Sequence, residues 1–230
     1  MRIAVTRAEP DASRTASRID ARGGQGVLAP LLTIGPDPNL NRDLTGVQAL
    51  IFTSANGVRA FGHPSRDVRV LAVGDATAAA AKELQFNEVV SADGDSAALI
   101  QLARDTLDAQ AGRIVHVSGA HIAGDVAAAL QAAGFAAERR IGYEARAVDS
   151  LPDALKARFA RDPPDLDRVL FHSARAAAIF VRLARAAAPK LTAVCLSDAV
   201  AAAAGQAAWK QVIVAQIPRE DALLSAALAH

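Results

Sequence analysis

The sequence predicts an α/β protein made of two related parallel-sheet domains, and three observations carry that prediction. Short β-branched runs alternate with alanine-rich segments of helical period, the pattern of repeated strand–helix units. Two stretches of the chain repeat one another in order and spacing. A length of 230 residues allows two small domains, each burying a core of its own.

The strand candidates, in chain order, are Ile3 to Thr6, Gly26 to Leu28, Ala49 to Thr53, Val70 to Val73, Glu88 to Ser91, Arg113 to Val117, Ala136 to Tyr143, Arg168 to His172, Thr192 to Leu196 and Gln211 to Val214. Ten strands imply about five per domain. Helices are expected at Asp11 to Arg22, Ala76 to Leu84, Ala97 to Leu107, Asp125 to Ala133 and Arg175 to Ala187. In the last of these Ile179, Phe180 and Leu183 form an apolar stripe, and Arg175, Arg182 and Arg185 read as a solvated basic face. Gly23, Gly24 and Gly26 end a helix instead of opening one, which makes them a C-cap and not a phosphate-binding loop.

The repeat is specific. LIFTSANGVRAF from Leu50 matches VLFHSARAAAIF from Val169, and AVGDATAAAA from Ala72 matches CLSDAVAAAA from Cys195. The register then holds without a gap, so that Gly74 pairs with Ser197, Phe86 with Trp209 and Val89 with Val212. A shorter match joins RIAVTR at Arg2 with RIVHVS at Arg113, each leading through a helix to a glycine, Gly24 or Gly134. The order is short unit, long unit, short unit, long unit. If the central pair forms one domain, the first and last units must form the other. The chain then crosses twice, near Thr33 to Pro38 and near Gly142 to Ser150, with the cluster Gly35, Pro36, Pro38 read as a turn or linker.

Composition narrows the function. A formal charge of +1 leaves no basic footprint for nucleic acid. A single cysteine, Cys195, inside an apolar run reads as a buried thiol in a reducing compartment. The N-terminus enters a short strand directly, and no apolar run approaches the roughly 18 residues that span a bilayer, so a cytoplasmic protein with no membrane partner is expected. His63, His116, His121, His172 and His230 lack metal-ligand spacing, and Ser54 and Ser173 lack a nucleophile elbow.

In a parallel sheet every strand that feeds a helix does so at one edge, and ligands bind outside that edge. The residues at those junctions are Thr6 and Arg7; Thr53, Ser54, Ala55 and Asn56; Gly74, Asp75 and Thr77; Ser118 and Gly119; His172, Ser173 and Ala174; and Leu196, Ser197 and Asp198. Helix N-termini carry unpaired N–H groups and the positive end of the dipole, so facing turns of two domains are expected to form one cleft for a ligand with many acid groups. Any single Ser or Thr there is also a plausible ordinary N-cap. Tyr143, the lone tyrosine, ends a strand at the second crossing, where it could donate a proton or simply anchor the linker by packing. Arg7, Arg139, Arg140 and Arg146 lie near the junctions or crossings, as clamps or as solvated charges.

With these residues in view the chain resembles the uroporphyrinogen-III synthase family, through VTRAE at Val5, PLLTI at Pro30, IFTSANGV at Ile51, AVGDATA at Ala72, IGYEA at Ile141, VLFHSA at Val169 and VIVAQIPREDALL at Val212. The resemblance spans essentially the whole length. It implies two flavodoxin-like domains joined by a two-stranded linker, with residues 1–34 plus 148–230 in the first, 38–143 in the second, and linkers at 35–37 and 144–147. It implies a cyclising lyase that turns hydroxymethylbilane, an open-chain tetrapyrrole with eight carboxylates, into uroporphyrinogen III with inversion of the last pyrrole ring. It further implies an enzyme that needs no metal or organic cofactor; a monomer is expected. The family's linker tyrosine matches Tyr143 as the catalytic candidate, and the substrate-binding candidates are Thr6, Arg7, Thr53, Ser54, Ala55, Asn56, Gly74, Thr77, Ser118, Gly119, Ser173 and Ser197.

One departure stands out. Where the family's second long unit commonly carries a threonine, this chain has Val200, although the counterpart Thr77 is intact. A non-catalytic tetrapyrrole-binding member of the fold is therefore the alternative, and a two-domain receptor for small anions or sugars a more distant one, disfavoured by the missing leader peptide.

Overall fold

The structure, a computed structural model, describes residues 1–62, 65–122, 124–161 and 164–229; His63 and His230 lie outside the described residues. The chain divides into two compact units, 1–33 with 146–230, and 34–145. In chain order the elements are β1 (Arg2–Val5), α1 (Asp11–Asp20), β2 (Gln25–Leu28), β3 (Leu32–Pro36), β4 (Val47–Phe52), α2 (Ala55–Phe61), β5 (Arg69–Ala72), α3 (Asp75–Glu83), β6 (Val89–Ser91), α4 (Ser96–Thr106), β7 (Arg113–Gly119), α5 (Val126–Ala132) and β8 (Ala137–Ala147). There follow α6 (Asp153–Phe159), β9 (Arg168–Phe171), α7 (Ala174–Ala184), a 3₁₀ turn over Arg185–Lys190, β10 (Thr192–Cys195), α8 (Asp198–Ala204), β11 (Gln211–Val214) and α9 (Glu220–Leu228).

One sheet runs β11-β10-β9-β1-β2 and the other β3-β8-β7-β4-β5-β6. All the pairings of the first sheet are parallel. The repeat maps one sheet onto the other, β2-β1-β9-β10-β11 onto β8-β7-β4-β5-β6, which is the flavodoxin-like strand order. It does so in register: Ile51 sits opposite His116 as its counterpart Leu170 sits opposite Val5. Likewise Val70 faces Val89 as Ala193 faces Val212.

The cluster Gly35, Pro36, Pro38, read locally as a turn or linker, falls partly in strand β3, and β8 continues beyond Tyr143 to Ala147, so both crossings are strands, as the resemblance implied. β3 is an edge strand with β8 as its one neighbour, so Pro36 can sit at its end without breaking a ladder on both sides. The pair is antiparallel, since Val148 N donates to Leu31 O and Asp37 N to Gly142 O. The helix expected to run to Ala187 leaves α geometry after Ala184, because Pro189 lacks an N–H and its ring excludes the carbonyl four residues back.

Helices cover both faces of each sheet, and the central strands bury apolar side chains on either side. In the first unit Phe171, Phe180 and Trp209 pack together, with Phe171–Phe180 centroids 5.5 Å apart and Phe180–Trp209 5.4 Å. The repeat places Phe52, Phe61 and Phe86 in the same roles, with Phe52 at 6.1 Å from Phe61 and 6.5 Å from Phe86. Each such buried ring contributes on the order of 2 kcal/mol of burial free energy. Cys195 is fully buried, and burial pushes its thiol up to about 11. No helix among the described residues is long and apolar enough to cross a membrane.

Candidate functional site

The functional candidates lie where the parallel strands end. In the unit formed by 34–145, β4 delivers Thr53 to Asn56, β5 delivers Gly74 and Thr77, β7 ends on Ser118 and Gly119, and β8 carries Tyr143. In the other unit β1 delivers Thr6 and Arg7, β9 delivers Ser173, and β10 delivers Ser197. Each unit thus gathers its own candidates at the carboxyl edge of its own sheet.

The serines after β4 and β9 are N-caps. Ser54 has extended backbone and its hydroxyl oxygen accepts from Asn56 N, while Ser173 accepts from Ala176 N at 3.2 Å. A cap uses a lone pair on oxygen, so each hydroxyl hydrogen remains able to donate to a carboxylate. After β5 and β10 the caps are Gly74 and Ser197, both extended and neither with a side-chain cap bond.

Three of the predicted contacts bury their side chains instead. Thr6 is fully buried and donates to Leu170 O at 2.6 Å, which ties β1 to β9. Ser118 is 1% exposed, accepts from Arg139 Nε at 2.8 Å and donates to Gly119 O at 3.2 Å. Thr77 is buried on α3, and its counterpart Val200 is buried in the core of the other unit. A branched apolar side chain therefore fits the place where the family's threonine is lost.

Arginines near these edges are engaged. Arg7 reaches Asp11 at 3.3 Å and Glu220 at 3.4 Å, while Thr15 donates to Glu220 at 2.6 Å. Arg140 is 8% exposed, pairs with Glu138, and donates to the carbonyls of Asn41 and Asp43. Arg139 holds the turn after β7 through Ser118, Gly119 and Ala120. Arg59 donates to Asn56 Oδ1 at 3.1 Å, which fixes that amide at the start of α2.

Two histidines were underrated by the sequence. His116 is buried on β7 with Nε2 3.2 Å from Thr53 Oγ1, and burial, helped by the Arg139 charge, lowers it to about 4. His172 follows β9; burial, with Arg7 nearby, lowers it to about 3. Both rings are neutral near pH 7. The repeat held the signal, because His172 occupies the place of Thr53, and β7 runs beside β4 at that level. Tyr143 is half-buried, with its phenol lying over Gly119. Among the described residues no cluster of three His, Cys, Asp or Glu side chains is placed to hold a metal ion.

The family described as uroporphyrinogen-III synthase HemD matches residues 13–225. No curated protein matches the sequence. Among solved structures, the uroporphyrinogen-III synthetase of Helicobacter pylori is 16% identical, with a TM-score of 0.63 over 99% of this chain and 97% of that one. A mutant uroporphyrinogen III synthase from Thermus thermophilus is 18% identical, with a TM-score of 0.53 over 98% of this chain and 96% of that one. At such identities the structures speak for the fold, whereas the family match covers nearly the whole sequence: the chain belongs to the uroporphyrinogen-III synthase family.

Proposed function

We propose that this chain is a cyclising hydro-lyase that converts hydroxymethylbilane into uroporphyrinogen III and water, acting as a monomer in the cytoplasm. The family match over residues 13–225 carries the proposal. Ionisation expels the terminal hydroxyl as water and leaves an azafulvenium cation. The substituted carbon of the last ring attacks it to give a spiro intermediate, which fragments and recloses with that ring inverted. The protein's main task is to hold a flexible chain bent so that the productive carbon is the one in reach, an effect of proximity and orientation.

The substrate's eight carboxylates need donors, and each unit's carboxyl edge supplies some. The hydroxyls of Ser54 and Ser173 donate, as do the first-turn N–H groups of α3 beyond Gly74 and of α7 beyond Ser173. Asn56, Arg7 and Ser197 add polar contacts at the same edges, while Thr6, Thr77 and Ser118 shape the turns from beneath. Tyr143 donates the proton that lets the hydroxyl leave as water, a role suited to a phenol, which is a poor base at neutral pH. No group in this scheme is a metal or an organic cofactor.

The test is the isomer formed. Purified protein given freshly prepared hydroxymethylbilane yields the type III isomer on this reading. A product containing only type I, which arises from direct closure without inversion, removes the enzyme and leaves a non-catalytic binding member.

A further inference from the structure

Tyr143 owes its position to two glycines. The β7–β8 ladder is regular from Ile114 opposite Ala137 to Ser118 opposite Ile141, and then steps to Gly119 opposite Tyr143. Gly142 is the extra residue of a bulge. Without it Tyr143 would fall one place further along and its side chain would turn to the other face of the sheet. A methyl on Gly142 would lie 2.7 Å from Val117 Cγ1, so the bulge tucks in only because no side chain is present. The peptides on either side are pinned: Gly142 O accepts from Asp37 N at 2.9 Å, and Tyr143 O accepts from Ala120 N at 2.9 Å.

Gly119 forms the surface beneath the ring. A Cβ there would lie 2.9 Å from Tyr143 Cζ, 3.0 Å from Cε2 and 3.1 Å from the phenol oxygen. The atoms in the way belong to the hydroxyl end of the ring and not to its stem. On the glycine side the backbone cannot yield easily, because Arg139 Nη2 donates to Gly119 O at 2.7 Å and to Ala120 O at 3.0 Å. The ring, which turns about two single bonds, would move instead.

We propose that Gly119 and Gly142 are positioning residues for Tyr143, Gly142 aiming the side chain and Gly119 serving as the bare platform on which the phenol rests. This rests on the reading of Tyr143 as the proton donor and reassigns Gly119 from contacting substrate to placing the group that does.

The experiment compares wild type, Gly119→Ala, Tyr143→Phe and the double variant. Tyr143 is the only tyrosine, so labelling with ring-¹³C tyrosine gives one set of signals that reports its position alone. The expected result is that Gly119→Ala shifts those signals, lowers kcat about tenfold or more and leaves KM within about twofold. The double variant is then no slower than Tyr143→Phe by itself. Unshifted ring signals in Gly119→Ala overturn the proposal, as does a double variant slower than Tyr143→Phe by the full single-variant factor. Should Gly119→Ala fail to fold, wild type decides: cross-relaxation between the tyrosine ring and the Gly119 α-protons supports the platform, and its absence overturns it. Tyr143→Phe turning over at the wild-type rate overturns the donor reading by itself, since the platform is judged by the ring signals.

Discussion

His116 and His172 sit neutral inside the two units, one beside Thr53 and the other beyond β9. Neither ring nitrogen of His172, nor Nδ1 of His116, has a hydrogen-bond partner among the described residues. Because both folded values, about 4 and about 3, lie below the ordinary 6.5, the unfolded chain takes up protons first as pH falls. The stability gained by keeping the rings neutral is complete above about pH 6.5 and drains away towards pH 4 and 3. Between pH 7 and pH 5 each histidine should subtract about 2 kcal/mol. Urea unfolding of wild type and His172→Gln at the two pH values checks this, the variant being expected to lose about 2 kcal/mol less than wild type. Equal losses would mean that the ring is protonated in the fold. At the same scale Val200 shows how a missing hydroxyl can be a packing matter, since its side chain is buried against Ala204 and its neighbours.

Among the elements, α1 lies tight on β2 at Gly26. A methyl on Gly26 would fall 2.6 Å from Ala16 Cα and 2.9 Å from Ala16 O, backbone atoms that move only if the helix does. Gly26→Ala is therefore expected to cost about 1–3 kcal/mol, read as a lower melting temperature with the fold retained. An unchanged melting temperature would show that α1 is free to shift. The strands and helices of the repeated units were legible because a parallel sheet covered on both faces writes continuous apolar runs between alanine-rich amphipathic ones. β3 was legible only through the family resemblance and not in its local pattern, because Gly35 and Pro36 punctuate it as a turn and its single neighbour lies more than a hundred positions along the chain. The bulge at Gly142 was equally hidden, since a glycine inside a strand pattern shows that something approaches closely but not what. The same holds for the site: the capping serines could be read from their place after the strands, whereas Arg139 holding Ser118 depends on a pairing across β7 and β8 that no local pattern encodes.

Over the whole molecule, the internal repeat is what made the fold readable, since it required two sheets of one strand order and both have it in matching register. It also set the proposed function, in which the carboxyl edge of each sheet offers donors to a polyacid that neither the net charge of +1 nor any motif of high specificity announces. Amide hydrogen exchange with and without uroporphyrin III, a planar octacarboxylate relative of the product, tests that account directly. The predicted result is slowed exchange at 54–58 and 74–78 in one unit and at 173–177 and 197–200 in the other. Slowed exchange confined to the opposite ends of the strands, or to one unit alone, would contradict it.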